Sequence, residues 1–359
     1  MHISLGLRFL CNVEALNMVE SIGNVSKHRK APIVVPSSSG FRLLYVPAIS
    51  GESIGHGYQQ ALVEEAVNFY GDKAPLDAWS RRGEFIKFAD MKHMTETLKE
   101  LMNQAKESKK QKDISDIKHE IEKEVVRSSL IADVGGFLIA EGVPVKRTSC
   151  FQVGYAVPVF DGLEATAIES QFHVRHMISE SKESTAGKGQ SQGSEPTAAE
   201  RAGQMIYYVE LASAVYGLTF NLNLDKIGRT STIKIEDAVD DRLSRVKIGL
   251  IAMSRLFTGG GFGAKRSRYL PIEDILTVVA AVSKVRPFIV SPPHYATFVD
   301  DTVKRKDAML KMLENFNATE DVAIFGFSKE KPLPNGVVST QSLEELVDRV
   351  AEHVLSQKP

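Results

Sequence analysis

The sequence contains few cysteines and no apolar run long enough to cross a bilayer. Cys11 and Cys150 are its only cysteines in 359 residues, too few for a disulfide framework or a thiolate zinc site. A membrane-spanning helix needs about 20 apolar residues, and the longest apolar run, around residues 275–283, is far shorter. The start of the chain lacks the basic residues, unbroken apolar stretch and cleavage site of a signal peptide. These absences predict a cytoplasmic protein that binds no membrane.

Acidic residues are missing from one long segment. No Asp or Glu occurs between residues 21 and 51, whereas Lys27, Arg29, Lys30 and Arg42 carry fixed positive charges and His28 can add another. The formal net charge of the whole chain is −1, so the cations are segregated rather than abundant. Segregated positive charge on a near-neutral chain predicts contact with an extended polyanion.

A second acid-free segment, at residues 258–268, repeats this chemistry. Its basic residues are Lys265, Arg266 and Arg268. Gly260 and Gly261 would let a ligand approach the backbone, and Phe262 is suited to stacking on a base while the cations neutralise phosphates. The segment follows a predicted helix, and the residue directly after its lysine is not Ser or Thr, which excludes a dinucleotide fingerprint and a P-loop. The alternative interpretation is a flexible linker.

The apolar pattern changes period near the start of the chain. Apolar residues alternate over residues 3–13, which predicts a half-buried strand with Cys11 in the core. From Ile54 they recur at helical spacing, and Ser50 or Ser53 is a candidate N-cap. The first free amides of this helix would point back towards the basic segment, predicted here to be a loop. Strand, basic loop and helix form the opening unit.

The remaining pattern predicts an α+β fold. Strands are predicted at 150–157, 205–224, 276–282 and 287–290, and helices at 236–257, 295–315 and 343–355, with two charged helices in 90–133. A Ser342/Glu345 capping box opens the last helix. Residues 179–200 contain no aromatic or large aliphatic residue and are predicted to be mobile. The order of elements is that of a ferredoxin-like sandwich enlarged by insertions.

Histidines are the main candidates for catalysis or metal binding. In residues 171–177, Gln171, His173 and Arg175 alternate with apolar side chains, which predicts a projecting hairpin with one polar face. His173 and His176 lack a third ligand at recognisable spacing, so neither a metal site nor a cofactor is predicted. His56 is expected to pack or hydrogen-bond on the first helix. No catalytic triad or carboxylate pair can be assembled from residue order.

Three segments carry a resemblance to a known family. NVEALNMVESIGNVSKHRKAPIVV (12–35), VPAISGESIGHGYQ (46–59) and TGGGFGAKRSRYLP (258–271) closely resemble the archaeal backbone subunit of type I-A CRISPR-Cas surveillance complexes, the DevR-type Cas-seven family. The resemblance implies a modified RNA-recognition-motif palm, a helical finger insertion and a protruding thumb. Copies would assemble head to tail along CRISPR RNA, together with the other subunits of the effector complex, and hold the guide for pairing with target DNA.

Position by position, the resemblance divides the chain and assigns contacts. It implies palm segments at 1–74, 135–157 and 205–359, a finger at 75–134, and a thumb at 158–204 that includes the mobile segment. The residues expected to contact RNA are Asn17, Lys27, His28, Arg29, Lys30, Ser50, Gly51, Ser53, His56, Gln171, His173, Arg175, Gly260, Gly261, Phe262, Lys265, Arg266 and Arg268.

The sequence argues against catalysis by this subunit. Relatives in type III complexes cut target RNA with an acidic residue, typically Asp, whereas here no Asp precedes Asp72 and only Glu14 and Glu20 lie near the first basic segment. We therefore expect a protein that is not an enzyme. The rival function is a metal-independent endoribonuclease that processes CRISPR repeat RNA with His28, His56 or His173. A transcriptional autoregulator is suggested only by the old family name.

Overall fold

The computed structural model describes residues 1–108, 110–178, 202–259 and 262–357, so the segment 179–200 lies outside the described residues. The strands are β1 His2–Glu14, β2 Met18–Ile22, β3 Val25–His28, β4 Lys30–Ser37, β5 Gly40–Pro47, β6 Phe137–Ile139, β7 Val145–Arg147, β8 Phe151–Val153, β9 Val157–Pro158, β10 Ala167–Ile178, β11 Ala202–Asn223, β12 Ile272–Ser283, β13 Val322–Ser328 and β14 Val338–Ser339. The α-helices are α1 Gly51–Tyr70, α2 Glu96–Glu107, α3 Gln111–Ser128, α4 Leu130–Gly135, α5 Arg242–Thr258, α6 Phe298–Asn315 and α7 Leu343–Ser356.

Strand β1 lies in the middle of a mixed sheet. It pairs antiparallel with β11, where Leu5 is opposite Phe220, and with β12, where Leu5 is opposite Ala280. The strand order is β14-β13-β12-β1-β11-β3-β2, and β8, β9 and β10 also pair with β11. The β11–β3 and β13–β14 pairs are parallel. The architecture is therefore mixed α/β.

Helices cover both faces of this sheet. Leu5 and Leu7 of β1 share one core with Tyr58 of α1, Met253 of α5 and Val350 of α7. The opposite face carries α6, whose Phe298 packs with Val279, Ala281 and Val290. The predicted strand is confirmed as β1 and Cys11 is fully buried, but the prediction that β1 is only half-buried was wrong. Ser4 and Arg8, on the face opposite Leu5 and Leu7, are 2% and 3% exposed, because helices cover both faces of the sheet. None of the described helices is long and apolar enough to cross a membrane.

A second cluster of apolar side chains lies around α2 and α3. Leu98 and Met102 of α2 pack with Ile121 and Val125 of α3 and with Ile139 of β6. The two predicted charged helices are confirmed as α2 and α3, followed by the short α4.

The segment predicted to be a basic loop is instead two β-hairpins, β2–β3 and β4–β5. Gly23 and Gly40 take the positive φ values, 60° and 121°, that their turns require. The alternating apolar residues between these turns form strands. The prediction of a loop was wrong because only the charges, and not this alternation, were used.

Other element boundaries also differ from prediction. Helix α5 begins at Arg242 rather than near residue 236, and α6 begins at Phe298 rather than near residue 295. Residues 287–290 form no strand, because their amides bond to side chains: Phe288 N donates to Ser283 Oγ at 3.2 Å and Val290 N to Ser4 Oγ at 3.1 Å. The predicted strand at 150–157 is divided into β8 and β9.

Candidate nucleic-acid interface

The first basic segment supplies both free and paired cations. Lys30 and Arg42 are exposed on the β4–β5 hairpin. Lys27, 39% exposed, donates to Glu210 at 2.9 Å. Arg29 lies against the phenol of Tyr155, with Nη1 at 3.5 Å from the hydroxyl. Part of the charge read from the sequence is therefore already neutralised within the fold.

His28 does not reach the surface. Its side chain is fully buried, and Nε2 lies 2.6 Å from Glu14 Oε1. The prediction that this ring contacts RNA is wrong, because a partner distant in sequence draws it inward. The same distant contact removes Glu14 from solvent, since its carboxylate is also fully buried.

The start of α1 is capped from within the chain. Ser50 Oγ accepts from Ser53 N at 3.2 Å, which confirms Ser50 as N-cap. Asn17 Oδ1 accepts from Ser50 N at 2.8 Å. The exposed Glu52 occupies the first turn, where a carboxylate already favours the helix N-terminus electrostatically. This end of α1 is therefore a weaker anion site than the sequence predicted.

Gly51 is required by packing. A Cβ at this position would lie 2.6 Å from the carbonyl oxygen of Val153 in β8. Gly51 was expected to contact RNA, and in the structure it makes a close contact with the backbone of β8. Nearby, His56 is exposed, with its ring 4.9 Å from that of Phe85. Partial burial lowers the pKa of His56.

Phe262 is buried rather than available for stacking. It is 6% exposed and belongs to the main core, with its ring 6.3 Å from that of Phe257 on α5. The prediction that Phe262 stacks on a base is therefore wrong. Gly260 and Gly261 lie outside the described residues.

The rest of the second basic segment folds against the first. Ala264 N donates to the Leu16 carbonyl at 2.7 Å. Arg266 forms two hydrogen bonds of 3.0 Å with the carboxylate of Glu273, whereas Lys265 and Arg268 are exposed. Burial and the nearby charge of Arg268 lower the pKa of Lys265. Lys265 and Arg268 are thus the cations of this segment that face solvent.

The β10–β11 hairpin is linked to the same region. His173 stacks on Tyr207 with ring centroids 5.1 Å apart, and its Nε2 lies 2.7 Å from the hydroxyl of Tyr269, just after the second segment. Gln171 is exposed. The backbone of Arg175 is paired with Met205, but the side chain of Arg175 lies outside the description. The predicted strand is confirmed.

The Leu16–Asn17 turn is the point at which the segments meet. Leu16 bonds to Ala264, and the Asn17 carbonyl accepts from Arg29 N at 2.8 Å while its side chain holds Ser50. Sequence reasoning missed this role for Leu16 because an apolar residue after a strand shows no sign of it. It also missed Tyr155, Tyr207 and Tyr269, although tyrosines beside cations are a usable signal for nucleic-acid contact.

No metal cluster is found in the part of the chain that the structure describes: no group of three His, Cys, Asp or Glu side chains there could hold an ion.

Comparison with known proteins places the chain in a family. The model of the CRISPR-associated negative auto-regulator DevR/Csa2 matches residues 5–303. The chain belongs to the DevR/Csa2 family. Within this family it is 36% identical over 356 residues to the CRISPR-associated aCascade subunit Cas7/Csa2 2 of Saccharolobus solfataricus, covering 98% of this chain and 99% of the relative. It is 25% identical over 357 residues to the Cas7/Cst2/DevR protein of Methanocaldococcus jannaschii, covering 98% and 99%.

The protein also aligns with one chain of a solved structure described as a CRISPR RNA-guided surveillance complex, pre-nicking. The alignment covers 98% of this protein and 99% of that chain, at 14% identity and a TM-score of 0.48.

Proposed function

We propose that this DevR/Csa2 chain is a CRISPR RNA-binding backbone subunit of a Cascade-type surveillance complex. Its identity of 36% with an aCascade subunit over nearly the whole chain supports this assignment. The observation that carries it in the structure is the convergence of the two acid-free segments on the Leu16–Asn17 turn, through the Ala264 and Arg29 amides. The resulting surface joins cations that are more than 200 residues apart in sequence.

This surface suits a ligand whose sequence varies. Lys30, Lys265 and Arg268 are exposed cations on rigidly bonded segments, and cations that contact phosphates fix a strand in place without reading its bases. A guide holder needs this property, because base pairing with the target reads the sequence in RNA-guided systems. Asn17, Ser50 and Gly51 then shape the interface. Lys27 and Arg266 contribute charge that is partly neutralised by Glu210 and Glu273, and Arg29 contributes charge beside the Tyr155 hydroxyl.

The architecture supports a palm of the RNA-recognition-motif type. The strands β12-β1-β11-β8 lie in the ferredoxin-like order, and α1 and α5 pack on one face of them. In this proposal the finger is 75–134, the thumb is 158–204, and 1–74, 135–157 and 205–359 form the palm. The thumb would include the β10–β11 hairpin and the residues between its strands.

The proposed partners follow from the same function. They are CRISPR RNA, the target DNA strand that pairs with the guide, further copies of this chain and the other subunits of the complex. A repeated RNA backbone offers identical sites in succession, so one RNA can align several copies.

We propose that the chain has no nuclease activity. An endoribonuclease of the rival type needs two histidines placed as acid and base. Each of the three candidates engages a different partner: His28 pairs with Glu14, His56 contacts Phe85, and His173 bonds to Tyr269.

Binding to labelled single-stranded RNA tests this function. Two RNAs of equal length and unrelated sequence should bind with similar Kd, both more weakly as salt increases, and light scattering should show mass that grows with RNA length. Failure to bind RNA at low salt would overturn the proposal. Cleavage of repeat RNA in EDTA that disappears in His56→Ala or His173→Ala would instead establish the endoribonuclease.

A further inference from the structure

A buried ion pair lies directly beneath the Leu16–Asn17 turn. Glu14 is the last residue of β1 and His28 the last of β3. Both side chains are 0% exposed, and His28 Nε2 lies 2.6 Å from Glu14 Oε1. Burying two charges costs desolvation energy, so such a pair is weak grounds for stability by itself. The role of the pair is indicated by the backbone groups to which it is bonded.

The partners of the ring determine its charge. His28 Nδ1 lies 2.8 Å from the carbonyl oxygen of Arg29, which can only accept. Glu14 Oε1 also accepts from the Tyr216 hydroxyl at 2.7 Å, and as a carboxylate oxygen it accepts from Nε2 when the ring is protonated. A ring with both nitrogens protonated is a cation, and Glu14 is its anion.

Other titratable groups lie around the pair. Strand β11 contributes Glu210, whose carboxylate accepts from the His28 amide and from Lys27 Nζ, both at 2.9 Å. Strand β1 contributes Cys11, and burial raises the pKa of its thiol. Removing the proton from His28 would leave Glu14 buried without its counter-ion.

Burial on its own lowers the pKa of His28, but the hydrogen bond and the charge of Glu14 outweigh it, and the pKa is raised overall. A histidine with a raised pKa in the folded state contributes its full stabilisation below the unfolded value, about pH 6.5. That contribution is lost as pH rises through the raised pKa.

The pair reaches the interface through two sets of bonds. On one side, Glu14 Oε2 accepts from Leu16 N at 2.7 Å, and the Leu16 carbonyl accepts from Ala264 N at 2.7 Å. This links the carboxylate to the segment that carries Lys265 and Arg268.

On the other side, the Arg29 carbonyl that His28 contacts also accepts from Ala48 N at 3.0 Å, and the Arg29 amide donates to the Asn17 carbonyl at 2.8 Å. Asn17 in turn holds the Ser50 amide. The ring therefore fixes the strand that precedes Lys30 and the turn before α1.

We propose that Glu14 and His28 form a positioning pair, which never touches the ligand but sets the Leu16–Asn17 turn on which both basic segments are assembled. The inference rests on the proposed RNA-binding function. It implies that RNA affinity falls as pH rises and His28 loses its proton, and that removing the ring weakens binding even where the cations are intact.

The test compares His28→Gln with His119→Gln and with the unaltered protein. His119, on α3, is a matched control. Its side chain is also buried, at 3% exposure, and its Nε2 lies 3.1 Å from Glu236 Oε1. The Kd for labelled single-stranded RNA is measured from pH 6 to 9 at constant ionic strength. At pH 6 we expect His28→Gln to bind about tenfold more weakly, the effect of one lost charge-assisted hydrogen bond. Its affinity should also vary less with pH, whereas His119→Gln should follow the unaltered protein.

Hydrogen exchange on the unaltered protein keeps the test decisive if His28→Gln does not fold. After correction for intrinsic exchange rates, protection in residues 14–30 and 262–269 should fall together as pH rises, while α7 is unaffected. Two results would each overturn the positioning role and leave the proposed function standing. One is hydrogen-exchange protection that does not change with pH. The other is a His28→Gln variant with the same Kd and pH profile as the unaltered protein. If the unaltered protein binds no RNA at any pH, the proposed function falls and the positioning role with it.

Discussion

The amide of Ala264 donates a hydrogen bond to the carbonyl oxygen of Leu16 at 2.7 Å. Beside it, Gly263 has a φ of +96°, and a Cβ there would lie 2.6 Å from Leu16 Cδ2 and 2.7 Å from Leu16 Cβ. Gly263 and Ala264 therefore pack against the turn after β1. The alternative interpretation of this part of the loop as a flexible linker was wrong.

Replacing Gly263 should test this contact. We expect Gly263→Ala to raise the Kd for single-stranded RNA severalfold, because the new methyl group displaces the segment from Leu16 and the backbone conformation disfavours a side chain. Gly71→Ala, after α1, is the control: Gly71 also has positive φ, +60°, but a Cβ there meets nothing within 4 Å. Equal Kd values for the two variants would contradict a role for the Gly263 contact in binding.

Gly51 should affect folding more than RNA binding. In Gly51→Ala the new Cβ would lie 2.6 Å from the backbone oxygen of Val153, and overpacking of this kind costs about 1–3 kcal/mol. Denaturant unfolding should show that loss, whereas Gly154→Ala, whose Cβ would be 3.9 Å from its nearest neighbour, should unfold almost as the parent does. Weaker RNA binding by Gly51→Ala at unchanged stability would restore the predicted ligand contact.

The sequence predicted those features that depend on local periodicity. The alternation of Leu5, Leu7 and Phe9 identified β1 because successive side chains of a strand point to opposite faces, and these three lie in the main core. The start of α7 was predictable for the same reason: Ser342 Oγ accepts from Glu345 N at 3.2 Å, a contact between residues three apart. The Glu345 carboxylate in turn accepts a hydrogen bond from Gln341 N at 2.7 Å.

The features that were missed depend on contacts distant in sequence. His28 and Phe262 both stand in basic segments, and nothing local distinguishes them from exposed neighbours. His28 pairs with Glu14, which also accepts from the Tyr216 hydroxyl. Phe262 packs in the main core beside Phe257. Side-chain exposure in a charged segment depends on which strands lie beneath it, so composition alone does not identify which of its side chains are exposed.

Salt dependence should identify the cations that contact RNA. Each phosphate contact to a single strand contributes about 0.7 to the slope of log K against log salt. Lys265→Ala/Arg268→Ala should therefore bind more weakly and lose roughly 1.4 from the slope. Lys304→Ala/Lys311→Ala is a matched control, because it removes the same charge from exposed positions on α6, which packs on the other face of the sheet from α1 and α5. Similar slopes for the two double variants would show that the affinity reflects overall charge and not this segment.

We expect Asp133 to contribute to the stability of the fold but not to RNA affinity. Its buried carboxylate accepts from Arg147 at 2.7 Å, from Arg245 at 3.0 Å and from Gly228 N at 2.9 Å, and so ties α4 to β7, to α5 and to the chain after β11. Asp133→Asn keeps the shape but removes the charge that balances two buried guanidinium groups, and breaking a buried pair costs about 3–5 kcal/mol. Thermal unfolding should shift strongly downward, while the Kd for RNA, measured well below the transition, should be unchanged.

The control for that substitution is Asp237→Asn, whose carboxylate is 65% exposed and pairs with Arg229 at 2.9 Å. A surface pair contributes little, since water screens it, so this variant should unfold almost as the parent does. Matching Tm values for Asp133→Asn and Asp237→Asn would mean that the buried arginines find other partners. A large loss of RNA affinity in folded Asp133→Asn would mean that RNA binding is coupled to the elements that Asp133 joins, α4, β7 and α5. The carboxylate is fully buried and could act on RNA only through these elements.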